Sequence, residues 1–116
     1  MEHRIFGMAV ARVYPAYQAK VEKKGRSKAE LDAVIFWLTG HDAASLARVL
    51  AEGVDFRRFF AEAPALNPMR DQVTGMICGV RIEEIAEPLM REIRILDKLV
   101  DELAKGRSLD RVLRKA

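Results

Sequence analysis

Residues that typically begin and end helices recur along the whole of this chain. A Ser or Asp that can cap a helix N-terminus precedes several helically spaced apolar runs, and a glycine that can end a helix follows several of them. The capping candidates are Ser27, Asp42, Asp55 and Ser108, and the terminating glycines are Gly25, Gly40, Gly53 and Gly106. This pattern predicts an all-α fold, a compact bundle of about six helices that forms a single domain over residues 1–116.

Composition and charge fit an ordinary folded domain. Half of the 116 residues are hydrophobic and 32% are charged, so the chain can bury a core without disulfides or metal. The net charge is only +3, from 20 basic and 17 acidic residues, which is a mild excess. Adjacent acidic residues on a helix diverge, so the pairs Glu83-Glu84 and Asp101-Glu102 are expected on the solvated surface.

Three segments carry the clearest core patterns. Ser27-Lys28-Ala29-Glu30 forms a capping box, and the helix that it opens runs to Gly40 with Trp37 expected in the core. A helix over residues 88–105 spaces its apolar residues by four, three, four and three, as in two heptads of a packing seam. The seam consists of Leu89, Ile93, Leu96, Val100 and Leu103, and the third pattern is the cluster Phe56, Phe59 and Phe60.

Two segments give weaker signals. Residues 1–14 fit neither helical nor strand periodicity and are interpreted as an extended N-terminal arm, with Pro15 opening a helix over residues 15–24. Residues 69–79 have helically spaced apolar positions, but Gly75 and Gly79 interrupt them. A loose helix is therefore predicted there.

Few residues could carry catalytic chemistry. His41 could act as a general base if Asp42 oriented its ring, but Asp42 is needed as a helix cap, which favours simple turn chemistry. Cys78 could be a nucleophile if a neighbour lowered its pKa, yet free cysteines are usually buried, so an inert, packed thiol is predicted. The second histidine, His3, lies near the chain terminus. No catalytic residue, metal site or cofactor is predicted.

A small-molecule pocket or a small enzyme is the first alternative function. Several polar groups flank helix ends close to the predicted core, where a ligand site could form. The candidate pocket residues are Trp37, Thr39, His41, Thr74, Cys78 and Arg81.

Weak nucleic-acid binding is the second alternative. Five basic residues surround the glycine turn at residues 20–28 against a single Glu22, and a second basic group follows near residue 110. The helix after the turn is apolar from residue 33 to residue 38, which argues against base readout, so only phosphate contact is considered. The residues are Lys20, Lys23, Lys24, Arg26 and Lys28, with Arg107, Arg111, Arg114 and Lys115 as the second group.

The leading functional prediction is a non-enzymatic binding or protein-interaction module. One cysteine and no long apolar segment suit a cytoplasmic protein with no membrane span. A homodimer that uses part of the seam at residues 88–105 is one form that such a module could take.

The order of several short motifs resembles a family of short bacterial proteins that is known only as a domain of unknown function. The motifs are Val13-Tyr14-Pro15, Lys23-Lys24-Gly25-Arg26, Trp37-Leu38-Thr39-Gly40, Phe59-Phe60-Ala61-Glu62-Ala63-Pro64, Ile77-Cys78-Gly79, Pro88-Leu89-Met90 and Leu96-Asp97-Lys98-Leu99. The resemblance covers nearly the whole chain. It implies a bacterial source and no particular activity, cofactor or substrate, and it implies tyrosine as the usual residue where His41 stands.

Overall fold

Six α-helices and one short hairpin make up the protein in the computed structural model, which describes residues 3–115. The helices are α1 (Val10–Lys23), α2 (Lys28–Thr39), α3 (Ala43–Glu52), α4 (Phe56–Ala61), α5 (Pro88–Ala104) and α6 (Leu109–Val112). The antiparallel strands β1 (Met76–Ile77) and β2 (Val80–Arg81) form the hairpin, and 3-10 turns span Arg4–Gly7, Pro68–Gln72 and Ile82–Glu84. None of the helices in the described part of the chain combines the length and hydropathy needed to cross a bilayer.

The predicted caps are confirmed at four helices. The Ser27 hydroxyl accepts the Glu30 amide, and the Glu30 carboxylate accepts the Ser27 amide, which completes the capping box of α2. Asp42, Asp55 and Ser108 cap α3, α4 and α6 in the same way through the amide three residues ahead. The four terminating glycines all have positive φ, a backbone conformation that favours glycine.

Helix α5 lies at the centre of the bundle and packs against α1, α2, α4, α6 and β1. The seam is confirmed as a buried face, because Ile93, Leu96, Val100 and Leu103 are each at most 1% exposed. Only Leu89, at the start of the helix, is half-buried. The three phenylalanines of α4 are buried as predicted, whereas Trp37 is only partly buried and packs on the rim of the core.

The predicted N-terminal arm is wrong for residues 3–14, and residues 1 and 2 lie outside the described part of the chain. Helix α1 begins at Val10, so Pro15 lies inside the helix rather than at its start. Val10 donates its amide to the Val54 carbonyl, and Phe56 donates to the Met8 carbonyl, which fixes residues 8–10 beside the start of α4. Burial of Val10 and Tyr14 on this anchored segment outweighs the hydrogen bond that Pro15 cannot make.

The loose helix predicted over residues 69–79 is also wrong. A 3-10 turn at Pro68–Gln72 and the hairpin occupy this segment. Gly75, Cys78 and Gly79 all have positive φ, which is incompatible with a continuous right-handed helix. Cys78 and Gly79 are the two central residues of the hairpin, and positive φ at both positions is the pattern of a type I′ turn.

The loop after α4 closes the C-terminal end of α2. Ala65 donates its amide to the Thr39 carbonyl and Asn67 donates its amide to the Leu38 carbonyl, each at 3.0 Å. The Asn67 side chain donates to the Trp37 carbonyl at 3.1 Å. These bonds satisfy carbonyls that a helix end otherwise leaves open, and they bring the loop against Gly40.

Gly40→Ala should therefore destabilise the protein more than Gly53→Ala does. Both glycines have positive φ, at 79° for Gly40 and 65° for Gly53. A Cβ added at Gly40 would lie 2.6 Å from the Ala65 nitrogen, whereas a Cβ added at Gly53 would have no neighbouring atom within 4 Å. We expect Gly40→Ala to lower the free energy of unfolding by about 2–4 kcal/mol and Gly53→Ala by about 1 kcal/mol. Urea denaturation measures the free energy of unfolding of both variants. Equal decreases in the two variants would contradict the role of the contact with Ala65.

Candidate functional site

Of the three hollows described here, the largest lies between the end of α5 and the start of α6. It has a volume of ≈ 700 Å³, is open to solvent, and is lined almost entirely by polar and charged residues. We call it the α5–α6 hollow. Its lining consists of Lys98, Asp101, Glu102, Lys105, Gly106, Arg107, Ser108 and Arg111.

The helix ends at this point of the chain produce the hollow. Gly106, with φ 94°, reverses the chain after α5, and the Ser108 hydroxyl caps α6 by accepting the Arg111 amide at 3.3 Å. Val112 and Leu113 are buried and hold α6 against α5. The seam is the face of α5 that is buried in the core. The charged residues in the last two turns of α5 lie on the opposite face and therefore border the hollow.

Asp101 is not the freely solvated residue that the sequence predicted. Its carboxylate accepts hydrogen bonds from Lys20 and Lys105, with each Nζ at 3.0 Å. Burial acts to raise the pKa of Asp101, but the two ammonium groups outweigh it and hold the pKa below its usual range. The residue is therefore an ionised link between α1 and the end of α5.

Glu102 is likewise not on the solvated surface, since only 8% of its side chain is exposed. The Arg114 guanidinium donates to both carboxylate oxygens, at 2.5 and 3.0 Å, and Arg107 approaches within 3.7 Å. The same guanidinium donates to the carbonyls of Arg111 and Val112. This bidentate pair fixes the C-terminal residues beside the hollow and compensates the buried carboxylate.

The basic turn at residues 20–28 lies beside the same hollow. Arg26 donates to the Leu103 carbonyl at 3.0 Å and to the Arg107 carbonyl at 2.7 Å, and it also pairs with Glu30. Lys28 pairs with Asp32, so Lys20, Arg26 and Lys28 all have intramolecular partners. Of the five basic residues in the turn, Lys23 and Lys24 form no ion pair within residues 3–115.

The hollow is electropositive. Four cations and two carboxylates line it, and both carboxylates also receive cations from outside the lining, Lys20 and Arg114. The Arg111 guanidinium is exposed and has no ion pair within the described chain, while Lys98 donates to the Met76 carbonyl. The lining holds no histidine or cysteine, and its one hydroxyl, on Ser108, caps a helix. The charge of this lining is therefore complementary to a negatively charged group.

The sequence predicts only part of this site. It predicts a basic group that includes Arg107 and Arg111, but it does not connect Lys98, Asp101 and Lys105 with them. Residues 98, 101 and 105 repeat at spacings of three and four, which places them on one face of α5 opposite the seam. That periodicity was the available signal, and only the fold shows that α6 turns back over this face.

The six candidate pocket residues do not share any of the three hollows described here. His41 lines one hollow between α3 and α4, and Cys78 lines another beside the hairpin. Thr39 is buried and donates its hydroxyl to the Ile35 carbonyl within α2. Thr74 and Arg81 are exposed near the hairpin, and Trp37 lies on α2.

The prediction that Cys78 is packed inside the core is wrong, because its thiol is exposed. The hairpin turn explains the difference, since it carries residue 78 outward.

The hollow that Cys78 lines also contains Tyr17, which donates its hydroxyl to Asp97 at 2.5 Å. Burial, and to a smaller extent the Asp97 carboxylate, raises the pKa of Tyr17 well above its usual range. The hollow there has a volume of ≈ 250 Å³.

His41 is 9% exposed and is held from two sides. Its Nδ1 lies 2.9 Å from the Ser45 hydroxyl, and its ring stacks on Phe59 with the centroids 5.2 Å apart. Asp42 does not orient the imidazole; its carboxylate accepts the Ser45 amide as the predicted cap. Burial lowers the pKa of His41, which the Asp42 carboxylate opposes, so the ring is neutral at pH 7.

The hollow that His41 lines has a volume of ≈ 250 Å³, and we call it the α3–α4 hollow. Its remaining lining combines Ser45 with apolar residues and with charged residues of both signs. The apolar residues are Val49, Val54, Phe59 and Pro64, and the charged residues are Arg48, Glu52, Arg58 and Glu62. It shares no residue with the α5–α6 hollow. No group of three or more metal-binding side chains clusters within residues 3–115.

Stability should rise with pH below the ordinary pKa of histidine because His41 is buried in its neutral form. The pKa of His41 is below its ordinary value of about 6.5 in the folded protein. At pH values between these two pKa values, the imidazole is protonated in the unfolded chain but not in the folded one, so lowering the pH favours unfolding. We expect a slope of at most about 1.4 kcal/mol per pH unit in the free energy of unfolding. Urea denaturation between about pH 5 and 7 measures the slope.

The two histidines provide a matched pair of variants for this measurement. His41→Gln should remove the slope, whereas His3→Gln, which changes an exposed residue, should keep it. A slope of the same size in His41→Gln would show that another group causes it.

Comparisons with other proteins identify a family but no activity. The family model described as "Uncharacterized protein conserved in bacteria (DUF2200)" matches residues 4–114. The crystal structure of the uncharacterised protein SP1917 superposes with a TM-score of 0.91 at 47% sequence identity, covering 98% of this chain and 93% of that chain. No curated protein matches this chain.

Proposed function

This chain belongs to the DUF2200 family of bacterial proteins, and on that premise we propose that it is a non-enzymatic binding module that binds an acidic protein segment at the α5–α6 hollow. The observation that carries the proposal is the unbalanced positive charge of the α5–α6 hollow. A surface of this kind binds by charge complementarity and needs no reactive group.

The arrangement of the cations supports binding of a partner rather than a purely structural role. Asp101 and Glu102 are already neutralised by Lys20, Lys105 and Arg114. Of the four lining cations, Lys105 and Arg107 pair with these carboxylates, so Lys98 and Arg111 exceed what the internal carboxylates require. Arg111 in particular extends its charge without an internal ion pair in the described chain, which leaves its planar guanidinium available for a carboxylate.

A protein segment suits the hollow better than a nucleic acid does. Arg26 and two lysines of the basic turn, which lies beside the hollow, are already committed to internal partners. Lys23 and Lys24 alone make a small footprint for phosphate contacts.

A fluorescently labelled hexaglutamate peptide is a direct probe. At low ionic strength we expect fluorescence anisotropy to detect binding that weakens as salt is added, because the contact is between exposed charges. Arg111→Glu should weaken this binding about tenfold or more, since it replaces an attractive charge by a repulsive one. Arg12→Glu makes the same charge change at an exposed α1 residue outside the hollow and should have little effect.

Three outcomes would contradict the proposal. They are absence of peptide binding at low salt, equal weakening by Arg12→Glu and Arg111→Glu, and binding of a single-stranded oligonucleotide in place of the peptide. In the last case, Lys23→Glu and Lys24→Glu test the basic turn. Arg26 is unsuitable for that test because its guanidinium also joins α2 to the end of α5.

We also propose that the module acts in the cytoplasm, which is supported by an exposed, unpaired cysteine that suits a reducing compartment. The homodimer through part of the seam stays a prediction, and because four of the five seam residues are buried inside one chain, only the Leu89 end of the seam is open to a second copy. Sedimentation velocity at increasing concentration measures the mass. A species of twice 13.1 kDa supports a dimer, and a constant monomer mass contradicts it.

A further inference from the structure

We propose that the acidic segment bound at the α5–α6 hollow continues across the end of α1 to Lys23 and Lys24, so that the partner contributes an acidic stretch of about six extended residues. The inference rests on the proposed function and deepens it, because it states how far the partner segment extends and which further residues it contacts. It is based on the contacts that join the basic turn to the hollow and on the ion pairs around them.

Two contacts hold the basic turn against the hollow. Arg26 donates to the carbonyl of Leu103 at 3.0 Å and to that of Arg107 at 2.7 Å, so it ties the turn to the connection between α5 and α6. Lys20 binds Asp101 of the lining, with 3.0 Å between its Nζ and the carboxylate oxygen. The end of α1 therefore borders the hollow where α5 ends.

Lys23 and Lys24 extend the positive surface beyond this border. They follow Lys20 by three and four residues, and side chains with these spacings are neighbours on one face of a helix, with ≈ 5–6 Å between their Cβ atoms. Because Lys20 contacts the lining, the next two lysines lie about one helical turn beyond its edge. Both are exposed to solvent.

The carboxylates next to this surface already have partners. The two in the hollow receive cations, and Glu30 pairs with Arg26 at 2.6 Å. The neighbouring Glu22 accepts a hydrogen bond from a glutamine on its own helix. Four cations along the surface form no ion pair within residues 3–115, namely Lys23 and Lys24 on the turn and Lys98 and Arg111 in the hollow. Excess charge of one sign on adjoining elements favours a single acidic partner that contacts both.

The extent of this surface determines the length of the partner segment. Lys98 and Lys105 are separated by two turns of α5, which is ~10.5 Å along the helix axis. An extended polypeptide advances ~3.3 Å per residue, so about three residues cover the hollow. A segment that also reaches Lys23 and Lys24 must be longer, and six residues, which span ~20 Å, meet this requirement.

Peptide length and charge reversal test the extension. Fluorescence anisotropy at low ionic strength measures the binding of labelled hexaglutamate and triglutamate to the full-length protein. Hexaglutamate should bind about tenfold or more tightly than triglutamate, since it gains contacts with two further ammonium groups. The double variant Lys23→Glu/Lys24→Glu should bind hexaglutamate no more tightly than the unchanged protein binds triglutamate. Both lysines are exposed, so we expect this variant to fold, which circular dichroism checks.

The double variant Arg12→Glu/Arg48→Glu is the matched control. It makes the same change in net charge at exposed residues of α1 and α3 outside the surface, and it should leave hexaglutamate binding nearly unchanged. Equal affinity for the two peptides, or equal weakening by the two double variants, would overturn the extension.

The single variant Arg111→Glu separates this inference from the proposed function. If Arg111→Glu weakens hexaglutamate binding and Lys23→Glu/Lys24→Glu does not, the extension to the basic turn is wrong while the proposed function stands. If only the lysine variant weakens binding, the hollow is not the site and both proposals are wrong.

Discussion

Leu96, Leu99, Val100 and Leu103 bury the inner face of α5 against helices that come from both ends of the sequence. Each fully buried leucine contributes on the order of 2 kcal/mol through removal of apolar surface from water. Since α1, α2, α4 and α6 all contact this one helix, their mutual positions depend on it. The α5–α6 hollow and the α3–α4 hollow lie at the margins of this core, where helices end and polar residues become exposed.

The ends of the helices determine which polar groups can take part in function. Ser27, Asp42 and Ser108 are used to cap helices, so their side chains are committed to backbone amides. The groups left for the proposed binding are those that project from the outer faces of the helices, such as Arg111. This division explains why the serine in the larger hollow is structural while the neighbouring guanidinium is available.

The sequence was sufficient to predict the helices that have both a cap and a regular apolar stripe. It failed where tertiary contacts override local signals. Pro15 suggested a helix start, but anchoring of residues 8–10 beside α4 extends α1 past it. Cys78 was expected inside the core, but positive φ at Cys78 and Gly79 produces a hairpin that exposes the thiol. The hollows could be anticipated only in part, because each combines residues from separate helices, and sequence spacing does not show which helix ends meet.

The central position of α5 has a consequence for synthesis of the protein. Helices α1–α4 precede α5 in the chain, so during translation they emerge before their common packing partner, which is complete only at Ala104. Until then the surfaces of α1 and α2 that pack on α5 are uncovered, and hydrophobic surface of this kind promotes aggregation. A nascent chain that stalls before residue 88 is therefore expected to depend on chaperones, whereas one that stalls after residue 104 already contains its whole central helix.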